Sequence, residues 1–373
     1  MHLSEMVHLT PWVTMHYPQD LLLRGQQFAD RVCQRILSIP SDLALGLSQT
    51  PWLQQWLLSP RYKAQLTRHL PHLPQLDPLE ADIVGQLQRT GVAFTSLDAL
   101  DLPGTTEFWH GAQQVAAELA ARAKQPAYVH CHTLTATGED VIKVPHLFWW
   151  GASPRLLRIV EAYLGLPAAY DGLSFYYSQA DDRVAGPRKW HRDKEDWRML
   201  KIAVYLHSVD GDGGPFESVL PNPNQTLRSH SPRSYPTFHH QQVKALLGED
   251  SDIWRTQCTG AAGTVIFADT ATYFHRGRPP KHSPRAAIFY GYFSQRPKHP
   301  FFGGDRPSPK PKSASLQPTC PPSPANPPSG ATGYLPPVAG SPKTVYGYST
   351  SGGIAASANA RWVQWVPPCK NRM

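Results

Sequence analysis

Lys189-Trp190-His191-Arg192-Asp193 is followed, eight residues on, by an apolar run, Lys201-Ile202-Ala203-Val204-Tyr205-Leu206. In an extended chain, residues two apart point to the same side. His191 and Asp193 can therefore offer an imidazole and a carboxylate to one point at the end of a strand. Alone this triplet means little, because a chain with 17 histidines meets it by chance. Its specificity comes from the order of the residues downstream. A turn-rich run from Asp210 reaches Gly213-Gly214-Pro215-Phe216-Glu217. The strand pattern Gly263–Ala268 then leads through Asp269 and Thr270 to His275. Ten residues later Arg285 opens another apolar strand pattern, ending at Ser294.

Two histidines and one carboxylate on one face of a metal leave three coordination positions open, the arrangement of non-haem Fe(II) oxygenases. Three positions suffice for a bidentate 2-oxo acid and for O2. Arg285 would offer a planar fork to a distal carboxylate, which a lysine reproduces poorly. On these four elements, residues 76–294 resemble the phytanoyl-CoA dioxygenase-like (PhyH) family of Fe(II)/2-oxoglutarate oxygenases. The resemblance implies a mainly β fold with flanking helices around a double-stranded β-helix (jelly-roll, cupin-like) core. It implies iron held by His191, Asp193 and His275, with 2-oxoglutarate anchored by Arg285. The implied reaction is oxidative decarboxylation of 2-oxoglutarate to succinate and CO2, coupled to C–H hydroxylation of a small molecule. Halogenating relatives replace the metal carboxylate by a small residue, and Asp193 is present. The sequence departs from the family where a P-G-S-H run is usual, reading Val219-Leu220-Pro221-Asn222-Pro223-Asn224 instead.

Further residues carry two readings each. Tyr176 and Tyr177 share a strand, so one faces the interior and the other packs outward. The sequence does not decide which; Tyr177 is assigned to 2-oxoglutarate and Tyr176 to the substrate pocket. Thr270 and Ser283 either contact the 2-oxo acid or satisfy backbone groups. Trp197 holds the spacing of a pocket Trp in ectoine hydroxylases, and otherwise packs beneath the loop. Arg276 and Arg278 either meet an anionic substrate or are surface charge. His130 and His132 would share a strand face, but no third ligand accompanies them. His239 and His240 read as a solvated helix start.

The chain has 373 residues, with 11 Trp, 13 Phe and 15 Tyr, far too aromatic for general disorder. Residues 1–75 read as a helical extension, with helical spacing over Leu21–Ile39 and Trp52–Leu66. Residues 76–296 read as the oxygenase domain. Residues 297–373 hold eight Lys or Arg against one acid, Asp305, and are rich in Pro, Ser and Gly, which predicts a disordered tail. The formal net charge of +8 thus belongs almost wholly to that tail. This argues against a nucleic-acid face on the folded part. Two alternatives survive: a protein- or RNA-modifying oxygenase recruited through the basic tail, and an inactive cupin-like binder. The five scattered cysteines predict no disulfide framework, hence a reducing, cytoplasmic location. No signal peptide and no membrane span are expected, and the oligomeric state is left open.

Overall fold

The computed structural model describes residues 43–229, 235–248 and 252–299. The expected helix over Leu21–Ile39 and nearly all of the proline-rich tail lie outside them. Two antiparallel sheets face each other. The larger has six strands in the order β1 (Val92–Ser96), β7 (Thr264–Asp269), β4 (Leu200–Tyr205), β9 (Arg285–Ser294), β3 (Ala168–Ser178) and β2 (Thr133–Thr135). The smaller joins β6 (Arg255–Cys258), β5 (Phe216–Val219) and β8 (His275–Gly277). This is the two-sheet layout of a jelly roll with flanking helices.

The period of two explains which side chains face where. On β4, Leu200, Ile202 and Val204 point to the helices and join the main apolar cluster. Ala203 and Tyr205 point the other way, into a second cluster between the sheets with Phe216, Cys258, Ile266 and Ala287. The helices covering the outer face are α1 (Pro78–Thr90), α2 (Thr105–Ala123), α3 (His146–Gly151) and α4 (Pro154–Leu164). They supply Ile83, Leu87, Phe108, Leu119, Trp150, Leu156 and Ile159 to the main cluster. Helix α1 begins as its sequence predicts. Asp77 accepts from the Glu80 amide at 2.9 Å, and Glu80 accepts from the Asp77 amide at 3.1 Å, a capping box ahead of Pro78.

Several expectations need adjusting. Ala127–Ala136 forms a strand only at Thr133–Thr135. Residues 221–229, in the run that departs from the family pattern, form a helix, α5 (Pro221–Ser229). The helix over Trp52–Leu66 is present, continuing to His69, with a π-type turn at Gln54–Leu58. The boundary drawn at Pro297 falls inside packed chain. The Lys298 amide donates to Asp196 Oδ1 at 2.9 Å, and the His299 amide to the Glu195 carbonyl at 2.9 Å. His299 is fully buried and meets Ser48 Oγ at 2.7 Å. Cys131 is disulfide-bonded, against expectation, while Cys258 is a buried free thiol. No helix among the described residues is long and apolar enough to cross a membrane.

Candidate metal centre

His191 and His275 lie 84 positions apart yet form one rung of antiparallel pairing. Each amide donates to the other's carbonyl, at 3.0 and 2.9 Å. Side chains of such a pair stand on the same face, and the two rings are 4.3 Å apart. Asp193 is set by its own amide, which donates to the Thr270 carbonyl at 2.8 Å. Backbone pairing alone thus brings three ligand atoms within 4.8 Å of one another. Nε2 of His191 and of His275 stand 3.9 and 4.0 Å from the Asp193 oxygens.

The donor set fits a transition-metal ion. Nδ1–H of His191 donates to the Lys189 carbonyl at 2.8 Å, and that of His275 to the Tyr273 carbonyl at 3.2 Å. Both bonds fix the tautomer that leaves Nε2 with a free lone pair facing the centre. Burial lowers the pKa of both rings, that of His275 to about 3, so both are neutral ligands. Asp193 is held ionised despite the opposing effect of burial, chiefly by the Lys201 ammonium. Lys201 Nζ lies 2.7 Å from Asp193 Oδ2. Each group of this close ion pair holds the other in its charged form.

The turn leading to His275 is pinned from two sides. Asp269 accepts from Tyr163 Oη at 2.7 Å and from the Thr272 amide at 3.0 Å. Asn224, on α5, donates to the Thr272 carbonyl and accepts from the Phe274 amide, both at 3.0 Å. Ahead of the triad, buried Arg188 donates to the carbonyls of His132 and Gln179 and pairs with Asp181.

Arg285 enters from the first residue of β9, on the inner face shared with Ala287. It is 5% exposed, it donates to the Gly214 carbonyl, and its Nε has no partner. Burial lowers its pKa, yet an arginine stays charged. A buried guanidinium with an unpaired nitrogen suits a carboxylate ligand. Two glycines keep the backbone close here, Gly277 against Arg285 and Gly214 against Pro280. Gly214 adopts φ +77°, and a Cβ there would stand 2.7 Å from Pro280 N. A Cβ on Gly277 would stand 3.0 Å from Arg285 Nη2.

The remaining candidates divide. Tyr176 faces inward, its ring 5.7 Å from Phe289. Tyr177 packs on the main cluster beneath the helices, so its assignment to 2-oxoglutarate is corrected. Thr270 is buried, with its hydroxyl donating to the Met199 carbonyl at 3.3 Å, a backbone role. Ser283 is exposed in the turn before β9, which removes it from the site. Trp197 stacks on Tyr62 at 5.1 Å with Lys298 Nζ 4.5 Å above its ring. It packs against the N-terminal helix Ser59–His69 instead of lining the metal site. Arg276 is 5% exposed and pairs with Glu217 at 2.6 Å, so it is neither surface charge nor open to an anion. Arg278 faces Asp212 at 3.4 Å. His130 is exposed, while His132 bonds Thr133 at 3.0 Å. His240 is not solvated as expected: it accepts from Trp190 Nε1 at 3.2 Å. Lys201 reads in the sequence only as the start of an apolar strand. The signal that marks it is a single charge at an inward position of a buried strand.

No family model matches the chain, and no curated protein does. Solved structures give low-scoring similarities. HygX from Streptomyces hygroscopicus with nickel and 2-oxoglutarate bound matches at 16% identity and TM-score 0.39, over 60% of this chain and 88% of that one. EctD from S. alaskensis with 2-oxoglutarate and 5-hydroxyectoine matches at 20% identity and TM-score 0.42, over 64% and 86%. The epimerase SnoN, in complex with Fe3+, alpha ketoglutarate and nogalamycin RO, matches at 16% identity and TM-score 0.39, over 60% and 88%.

Proposed function

We propose that this chain is an Fe(II)- and 2-oxoglutarate-dependent oxygenase that hydroxylates a C–H bond of a small molecule. The observation that carries the reading is the pairing of two features, one from each sheet. One is a His-Asp-His set whose outer nitrogens are already committed to carbonyls. The other is a buried arginine with an unpaired nitrogen. Bound iron would supply the activation of O2, with 2-oxoglutarate as the two-electron donor. The protein's part is to hold and to shield. His191, Asp193 and His275 would hold the ion. Arg285 orients the cosubstrate by its distal carboxylate. Phe216, which stacks at 5.5 Å on His275, and Phe289 keep the space between these groups apolar and exclude water.

The test is anaerobic titration with Fe(II) and then 2-oxoglutarate, following the weak visible charge-transfer band of the chelate. We expect the band in the wild type, a weaker one in Arg285→Ala, and none in His191→Ala. Absence of a band in the iron-loaded wild type would overturn the reading in favour of a non-enzymatic barrel.

A further inference from the structure

The rung that carries His191 and His275 has an outer side. Alternation turns Arg192 away from its two neighbours in sequence. Its guanidinium carbon lies 5.0 Å from the centre of the Tyr235 ring and 5.3 Å from that of Phe274. One of its nitrogens donates to the Ala271 carbonyl at 3.3 Å. From α5, Arg228 donates to the next carbonyl along, that of Thr272, at 3.4 Å. Two arginines from different elements thus converge on consecutive residues of one turn. Both acceptors are neutral, and no acid forms an ion pair with either arginine among the described residues.

Lys298, 4.5 Å above the Trp197 ring, adds a third cation. Burial and then the charge of Arg228 lower the pKa of Arg192 to about 10. Burial and then the charges of Arg192 and Arg228 lower that of Lys298 to about 8. The two carboxylates within range are already committed. Asp269 accepts from Tyr163 and the Thr272 amide, and Asp196 from Ser294 and the Lys298 amide. Positive charge is in excess on this side of the fold.

A cavity of about 260 Å³ opens beside it, lined by Pro221, Asn224, Gln225 and Arg228 of α5 and by Thr272 and Tyr273. Its lining holds one cation and no acid. The Gln225 amide and the Tyr273 hydroxyl offer neutral donors. A guanidinium fork beside such donors, with two further cations nearby, suits a doubly charged oxyanion better than a single carboxylate. The volume approaches that of a small-molecule pocket, about 300 Å³, so the phosphate of a small ester is accommodated as well as the free ion.

We propose that this cavity binds a phosphate group, held directly by Arg228, with Arg192 and Lys298 adding their charges to the field. The site stands on the outer side of the rung, apart from the metal centre, and needs no bound metal.

The experiment is isothermal titration of the full-length protein, kept free of metal so that phosphate cannot bind an ion. The ligands are inorganic phosphate, glycerol 1-phosphate and acetate at constant ionic strength. Both phosphates should bind saturably at one site, with Kd about 1 mM or below. Acetate should bind about tenfold more weakly or less. Arg228→Met, at an exposed position, should lower phosphate affinity about tenfold or more. Arg228→Gln carries the same expectation and covers a variant that fails to fold. Lys124→Met, a surface cation elsewhere, should change nothing. Tighter binding of the ester than of the free ion would mark an ester as the natural occupant, and equal affinities the free ion; either supports the site. No saturable binding in the millimolar range, acetate binding as tightly as phosphate, or full affinity in the Arg228 variants would overturn it.

Discussion

Glu217 shows how little a residue's neighbours in sequence say about its partners. It is fully buried and accepts from Arg255 Nε at 3.0 Å and Arg276 Nε at 2.6 Å, while the Arg276 guanidinium lies 4.7 Å over Trp190. Removing the charge leaves two buried cations facing each other. Glu217→Gln should therefore destabilise the fold by about 3–5 kcal/mol, measured by urea unfolding. His240 and His299 give a second test. Burial pushes each down to about 4. His240 accepts from Trp190, which a protonated ring cannot do at that nitrogen. Because the folded pKa lies below the unfolded value near 6.5, these rings contribute full stability above about pH 6.5 and lose it as pH falls toward 4. Melting temperature should drop across that window, and less steeply in His240→Gln. At this scale the sequence was legible where chemistry demands a residue type, as at His191, Asp193 and His275. It was illegible where identity depends on facing: Tyr176 and Tyr177 are adjacent aromatics, and only strand pairing says which looks inward.

The elements holding the site are short. β5 and β6 have four residues each and β8 has three, too few for alternation to announce them. Proline disguised α5, since Pro221 and Pro223 read as loop but occupy its first turn, where the missing amides are not needed. The longer elements showed themselves through caps and apolar runs, as α1, β9 and the Gly165 terminus of α4 did. Two substitutions test the short ones. Asn224→Ala removes both bonds from α5 to the turn before His275. It should cost about 1–3 kcal/mol and weaken metal affinity, read by competition with a chromogenic chelator. Gly214→Ala forces a Cβ into Pro280 at positive φ. It should cost about 1–2 kcal/mol or more and lower 2-oxoglutarate affinity, because the Gly214 carbonyl is the acceptor that steers Arg285.

At the scale of the whole fold, segments from both ends of the described residues meet over the loop that follows Asp193. Tyr62 stacks on Trp197, Ser48 meets His299, and residues 298–299 bond to the 195–196 backbone and side chain. A chain ended after Gln295 should thus melt below one ended after Pro300. Composition drew the domain edge a few residues early, because Lys298 and His299 look like tail and behave as packing. The pairing of His191 with His275 has a further consequence. Two ligands from distant parts of the chain share two reciprocal amide bonds, so the site is a rung of the ladder and exists before any ion arrives. Deuterium uptake at the two amides should be slow and matched in metal-free protein, since neither can open without releasing the other. Metal loading should then sharpen the protection without creating it, which makes these two protons an internal gauge of whether the barrel has closed.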